Sequence, residues 1–261
     1  MMKTKTLVFT NNKGGSGKST TCANVAYSLN EQGCRVLAID TDMQMNLTLS
    51  FFEEERVMEF NEGENNLYKG VLRSGNLEDC IFETGYRGLD IIPSSILMSG
   101  IEEVLYKRGG SREILKGLLK STVDSGKYDF ILIDAPPTLG LWVRNILNAA
   151  DGVVIPVEAS PWGLFGLANM IDYVNEASKD NKKLKICGIV VTKVDVRKNY
   201  FHQTEELLSD MEDIRVFKSF IRVDSSIEWA QDNSMPVGAY KKNSRSAKEY
   251  RELAMELRAA I

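Results

Sequence analysis

The stretch Asn11-Asn12-Lys13-Gly14-Gly15-Ser16-Gly17-Lys18-Ser19-Thr20 constrains this chain more than any other. It follows the apolar run Leu7-Val8-Phe9, which reads as a short buried strand, and precedes an amphipathic stretch from Thr21 to Glu31 that reads as a helix. Strand, glycine loop, then Gly-Lys-Ser opening a helix is the context a phosphate-binding P-loop requires. The glycines let backbone N–H groups converge on phosphate oxygens with no Cβ in the way. The helix N-terminus adds partial positive charge at the same spot. Residues Lys13, Gly14, Gly15, Ser16, Gly17, Lys18, Ser19 and Thr20 are therefore expected to bind nucleotide. Lys18 would reach the outer phosphates and the Ser19 hydroxyl would ligate Mg²⁺. The common pattern G-x-x-x-x-G-K-[ST] has Asn12 at its first position here, and an additional lysine, Lys13, precedes Gly14-Gly15.

The remainder of the chain supplies an α/β frame for that loop. Its 261 residues suffice for one sizeable core, and strand and helix patterns alternate throughout. The expected class is α/β, a single P-loop domain over residues 1–261 with a mainly parallel sheet flanked by helices. Arg35-Val36-Leu37-Ala38-Ile39 reads as a second buried strand ending at Asp40-Thr41-Asp42, and carboxylates at such a strand end face the ligand crevice. Tyr128-Asp129-Phe130-Ile131-Leu132-Ile133 is closed by Asp134 and terminated by Ala135-Pro136-Pro137. It reads as a Walker B strand whose aspartate holds a Mg²⁺-bound water. Further strands are expected at Leu89–Pro93, at Gly152–Val157 with Glu158 just beyond, and at Ile186–Val191. Val216-Phe217 with Phe220-Ile221 suggests a short final strand. Glu53 to Asn66 reads as a solvated loop or helix end. Helical patterns cover Ile96–Tyr106 and Arg112–Val123, split by Gly109-Gly110. Another covers Trp162–Ala177, with Leu164, Leu167, Ala168 and Ile171 on one face.

Composition narrows the function classes. Lys plus Arg total 32 and Asp plus Glu 36, a net charge of −4, which opposes coating of nucleic acid by global charge but permits a local basic patch. Cys22, Cys34, Cys80 and Cys187 form no C-x-x-C pair, so neither a disulfide framework nor a zinc site is expected. The single histidine, His202, reads as a solvated helix residue. No apolar run approaches the ~18 residues of a membrane span. Met1-Met2-Lys3-Thr4-Lys5 leads into a strand without a signal-peptide core, so a cytoplasmic location is expected.

The string Lys13-Gly14-Gly15-Ser16-Gly17-Lys18-Ser19-Thr20 resembles the deviant Walker A box of the ParA/MinD ATPases, nearest to ParA-type (Soj-like) partition proteins. Residues 40–48 resemble that family's switch I, residues 129–137 its Walker B with the Pro-Pro tail, and residues 246–261 its closing helix. The resemblance implies an ATP- and Mg²⁺-dependent homodimer that sits on non-specific DNA, nucleoid-associated in the cell, and moves plasmid or chromosome cargo. It implies a ParB-type centromere-binding partner that stimulates a weak ATPase. Carried over residue by residue, Lys13 reaches the partner subunit's nucleotide and Asp42 positions the attacking water. Ser19, Asp40 and Asp134 surround the metal.

Three points stay open in the sequence. Thr192-Lys193-Val194-Asp195 is similar to the T-K-x-D guanine box of signal-recognition GTPases, so Thr192, Asp195 and Asp224 are candidate base contacts, and ATP is the nucleotide favoured by the resemblance. Ser226 stands where the family carries an arginine, leaving Arg215, Lys218, Arg222, Lys241, Lys242, Arg245, Lys248 and Arg251 as candidate DNA contacts. Tyr250, Leu253, Ala254, Leu257 and Ile261 form an apolar stripe on the closing helix. Docking of that stripe on the core, rather than on a membrane, is the expectation, because Glu249, Glu252 and Glu256 suit anionic lipid poorly. The alternative function is a MinD-like or other cargo-positioning or regulatory ATPase acting on membrane or protein.

Overall fold

Side-chain alternation along the strands sorts the apolar residues into two cores. Leu7 and Phe9 of β1 (Lys5–Phe9) pack with Val36 and Ala38 of β2 (Val36–Asp40) on one face of the sheet. Val8, Leu37 and Ile39 pack on the other. This is the period of two that a strand buried on both sides imposes. The computed structural model describes residues 3–109, 111–160, 162–211 and 214–261. Met1, Met2 and Gly110, used in the expectations above, lie outside the described residues.

The sheet is completed by β3 (Phe82–Glu83), β4 (Leu89–Ile92), β5 (Phe130–Asp134), β6 (Gly152–Glu158) and β7 (Lys185–Thr192). Its order is β3-β4-β2-β5-β1-β6-β7, and every pairing is parallel except the antiparallel edge pair β3–β4. The α/β class with a mainly parallel sheet is therefore as expected. Helices cover both faces. Helix Lys18–Glu31 lies on one side, with Ser225–Asp232 and the closing helix Arg245–Ala260. Helices Leu67–Arg73, Ile101–Lys107, Leu141–Ala149 and Leu167–Asp180 lie on the other.

The closing helix settles on the first. Tyr250, Leu253, Ala254 and Leu257 are buried in one cluster with Cys22, Val25, Ala26 and Leu29. Ser244 caps its N-terminus by accepting from the Ala247 N–H at 3.1 Å, and Arg251 pairs with Glu31 at 3.3 Å. Ile261, expected in the stripe, is 36% exposed.

Local differences have physical causes. The stretch expected as a final strand makes only isolated parallel bridges, Val216 to Ile189 of β7 and, just past the stretch, Arg222 to Val194. The N–H groups of Lys218 and Ser219 are captured by the Glu256 carboxylate at 2.8 and 2.7 Å, which interrupts the ladder. Within 53–66, expected as a solvated loop or helix end, Glu54–Glu62 is a full helix: Glu54 and Glu55 complement its N-terminal dipole, and Val57 and Phe60 anchor it. In the helix expected over 162–177, Leu167–Asp180 is helical and buries Leu167, Met170, Val174 and Ala177, while Ala168 is exposed.

Candidate functional site

Strand order decides which side chains meet. β5 lies between β1 and β2, so Phe9, Asp134 and Asp40 end three adjacent strands in register. The glycine loop leaves β1, and the 40–48 segment leaves β2, on either side of Asp134. Ligands of open parallel sheets collect at such a carboxyl edge.

The loop is held by its neighbours. Asn11 donates to the Pro156 carbonyl at 2.7 Å and accepts from the Lys13 N–H at 3.0 Å. Thr192, 3% exposed, donates to the Ser16 carbonyl at 2.9 Å. Gly17 has φ +83°, and a Cβ there would stand 3.4 Å from the Thr192 hydroxyl, so the turn requires glycine. Lys18 is 6% exposed and donates to the Lys13 carbonyl at 3.1 Å, folding back over the loop. Burial lowers its pKa, against the opposing pull of Asp134 and Asp42.

Lys13 takes another course. Its ammonium meets Glu158 Oε2 at 2.8 Å and Ser160 Oγ at 3.3 Å, at the end of β6. Partial burial pushes the Glu158 carboxyl up, but the Lys13 hydrogen bond and charge, with Lys193 adding, leave it below its ordinary value. Glu158 as the partner of Lys13 was legible only as an acidic residue at the carboxyl end of a strand.

The two fully buried aspartates differ. Asp40 Oδ1 accepts from the Asp42 N–H at 3.1 Å, and Oδ2 accepts from the Thr48 N–H at 2.8 Å and the Thr48 hydroxyl at 2.7 Å. Burial pushes its pKa up to about 6 in spite of those bonds. Both oxygens of Asp134 are buried without a well-formed hydrogen bond. Burial raises its pKa well above the carboxylate range, Asp40 adds repulsion, and the nearby Ser19 hydroxyl pulls the other way. Asp42 is 7% exposed, and its Oδ1 accepts from the Gln44 N–H at 3.1 Å.

Among the described residues no cluster of three or more His, Cys, Asp or Glu side chains could cage a metal by itself. Orphaned hard oxygens on Asp134 beside a serine hydroxyl instead suit a cation that keeps waters and takes further oxygens from a phosphate chain. Asp40 spends its oxygens on Thr48 and Asp42, so it shapes the 40–48 segment more than it offers ligand atoms. Trp142 extends the connection: its Nε1–H donates to the Thr41 carbonyl at 3.4 Å, and the Thr41 hydroxyl donates to the Asp134 carbonyl at 2.6 Å. Thr48 ends the switch I segment read from the sequence but was given no role there, and Trp142 carries no motif that would have marked it.

These groups surround a cavity of about 1380 Å³ lined by Gly14, Gly15, Gly17, Lys18, Ser19, Thr20, Asp42, Thr192 and Asp224. Asp224 is committed within it: its Oδ1 accepts from the Ser226 N–H at 2.9 Å and its Oδ2 from the Ser246 N–H at 3.2 Å. Asp195 lines a neighbouring cavity of about 1100 Å³ instead. Arg197 holds it through bonds of 2.9 Å to each oxygen, and that hydrogen bonding brings its pKa down to about 2. Thr192 faces the loop backbone. None of the three candidate base contacts thus presents an unengaged carboxylate to the main cavity.

Among the candidate DNA contacts, Arg222 and Arg245 pair with Glu249 and Arg251 with Glu31. Arg215, Lys218, Lys241, Lys242 and Lys248 are exposed. His202 is exposed on helix Asn199–Ser209, and all four cysteines are buried.

A glycine loop between β1 and a helix, an aspartate ending the adjacent β5 and a second aspartate ending β2 define a P-loop nucleoside triphosphatase. The AAA domain family AAA_31 matches residues 4–186. The chain belongs to the ParA/MinD-type P-loop ATPases. It is 34% identical over 256 residues to the sporulation initiation inhibitor protein Soj of Bacillus subtilis, covering 98% of each chain. A plasmid partition protein from Borrelia burgdorferi bound to AMPPNP superimposes with a TM-score of 0.80 at 26% identity, covering 99% of this chain and 100% of that one. Cobyrinic acid a,c-diamide synthase from Mycobacterium smegmatis, with bound ATP analog and magnesium, gives 0.83 at 27% identity, covering 97% and 93%.

Proposed function

We propose that this chain is an ATP- and Mg²⁺-dependent ATPase that dimerises around nucleotide and partitions or positions plasmid or chromosome DNA. The observation that carries this reading is the contrast between two lysines of one loop. Lys18 is buried and folds back over the loop, while Lys13 stands on the rim with its side chain 27% exposed. Relatives named for chromosome partitioning match nearly the whole length of the chain.

In this reading, backbone N–H groups of residues 13–20 and Lys18 cradle the phosphates of one subunit's ATP. Ser19, Asp134 and Asp40 would hold Mg²⁺, which when bound would supply positive charge against the phosphates. Asp42 orients the attacking water through its remaining carboxylate oxygen. Lys13 delivers positive charge to the partner subunit's γ-phosphate, a device worth roughly 10³–10⁵ in rate for arginine fingers. Hydrolysis then waits for two chains to meet and acts as a timer.

Exposed Arg215, Lys218, Lys241, Lys242 and Lys248 give the dimer a salt-sensitive, sequence-independent grip on DNA. A ParB-type protein holding the cargo stimulates turnover, and the working location is the cytoplasm, on the nucleoid. The membrane alternative gains no support from the closing helix, whose apolar stripe is largely spent on helix Lys18–Glu31. No described helix is long and apolar enough to cross a membrane.

Mass measurement with and without ATP and Mg²⁺ tests the reading. Wild type should dimerise and turn over, Lys13→Ala should do neither, and Asp42→Ala should form a stable dimer that releases no phosphate. Wild-type turnover in Lys13→Ala would refute the role of that lysine. Pelleting with anionic vesicles but not with DNA would favour the alternative.

A further inference from the structure

Three charged side chains that no motif joins meet beside the phosphate loop. Lys13 is paired with Glu158 at 2.8 Å. Lys193 reaches toward the loop from just beyond β7. Its ammonium stands 3.9 Å from where a Gly15 Cβ would lie, and its charge acts on Glu158. Lys193 holds φ +53°, a left-handed conformation unfavourable for a lysine that directs this residue out of the strand. It lines both the cavity around the loop and the smaller one that Glu158 borders. Among the described residues Lys193 has no ion-pair partner within 4 Å, so its charge is uncommitted.

We propose that Glu158 is a positioning residue that parks Lys13 in its own subunit, and that Lys193 is the replacement counter-charge that lets Lys13 leave. The idea rests on the trans-acting Lys13 proposed above. A carboxylate stripped of its only close cation in a partly buried place resists the loss. A second ammonium that borders the same cavity as Glu158, though not within 4 Å of it, lowers that resistance. Glu158 therefore sets how readily two nucleotide-loaded monomers exchange an internal ion pair for a contact across the interface. Lys193 acts through Glu158 and need not touch the reacting atoms.

The test is a double-mutant cycle on the intact chain at saturating ATP and Mg²⁺, with dimer dissociation constants read by analytical ultracentrifugation. Glu158→Gln keeps the shape and removes the charge. Half-buried pairs of this kind hold by factors of roughly two to five. Two lysines must leave together, so the dimer should tighten by about four- to twenty-five-fold. Lys193→Ala should weaken it by a similar squared factor, with monomer affinity for ATP measured separately. Adding Lys193→Ala to Glu158→Gln should have no further effect, because its target charge is gone. That non-additivity is a readout that mere loss of packing does not produce, and Glu158→Asp should restore wild-type behaviour in part. An unchanged or weakened dimer in Glu158→Gln, or additive effects in the double variant, would overturn the proposal while wild type still dimerises and Lys13→Ala does not. If wild type itself stays monomeric with ATP, the functional reading fails instead.

Discussion

Asp40 and Asp134 end neighbouring strands in the same register, yet only Asp40 has hydrogen-bond partners. One aspartate organises the segment that follows it. The other keeps its oxygens for something the chain itself does not supply.

Asp134→Asn should separate stability from nucleotide chemistry. Replacing a buried carboxyl that burial makes costly to ionise with a neutral amide is expected to stabilise the metal-free protein by about 1–3 kcal/mol at pH 7.5. The same change should remove the extra thermal stabilisation that Mg²⁺ adds to ATP. Differential scanning calorimetry with ATP, with and without Mg²⁺, measures both. A variant less stable than wild type without metal would contradict the geometry.

The same carboxylates predict a pH dependence. Asp40 is raised from the ordinary value of 3.8 to about 6, and Asp134 is raised in the same direction. A raised carboxyl takes up a proton on folding, so its stabilising contribution is complete below about 4 and is lost as pH climbs through about 6. For Asp40 alone the difference is up to roughly 3 kcal/mol. Urea midpoints of the metal-free protein should therefore rise on going from pH 7.5 to pH 5.5. In Asp134→Asn the rise should shrink. Saturating Mg²⁺–ATP should flatten or reverse it, because that complex favours the ionised pair.

Thr48→Val removes the hydroxyl that donates to Asp40 at 2.7 Å while keeping the side-chain shape. Hydrogen bonds to charged groups contribute about 1.5–3 kcal/mol, so a loss in that range is expected. The Asp40 carboxyl should also move further above about 6, since the Thr48 bonds are what restrain it. Denaturation curves at pH 5.5 and 7.5 should show a larger deficit at the higher pH. An equal deficit at both would mean that the hydroxyl does not bear on the charge.

Leu253→Ala tests the docking of the closing helix. Leu253 is 1% exposed among residues of helix Lys18–Glu31, and truncations of this kind cost about 2–5 kcal/mol. A loss well under 1 kcal/mol by urea titration would show that the helix rests elsewhere, as a membrane-seeking helix could.

The loop was legible because its chemistry is local. Residues 11–20 carry strand, turn and helix signals in unbroken order, and the α/β class follows from alternation alone. Asp40 and Asp134 could be placed at strand ends because parallel sheets gather their ligands there. What escaped was set by partners distant in the chain or hidden in a turn. The box 192–195 looks like a base reader, but Arg197, two residues on, occupies Asp195, and Thr192 is turned into the loop by Ser16. The strand expected near 216–221 fails because Glu256 takes two of its N–H groups. Lys13 reads as a loop lysine, and nothing near it in sequence reveals Glu158 as its partner. Ala168 and Ile261 show that a helical stripe predicts the buried face only to within a residue or two at its margins.

The cover that the Arg245–Ala260 helix forms over the Lys18–Glu31 helix has a consequence for biosynthesis. The phosphate loop leaves the ribosome well before residues 192 and 221–235, from which its pocket borrows walls, and before residues 245–260, which roof its helix. A nascent chain stopped before position 245 would carry the whole glycine motif with its hydrophobic back exposed. Nucleotide capture should therefore begin only once residues 245–260 have been made, so that copies stopped short of them have no share in the work.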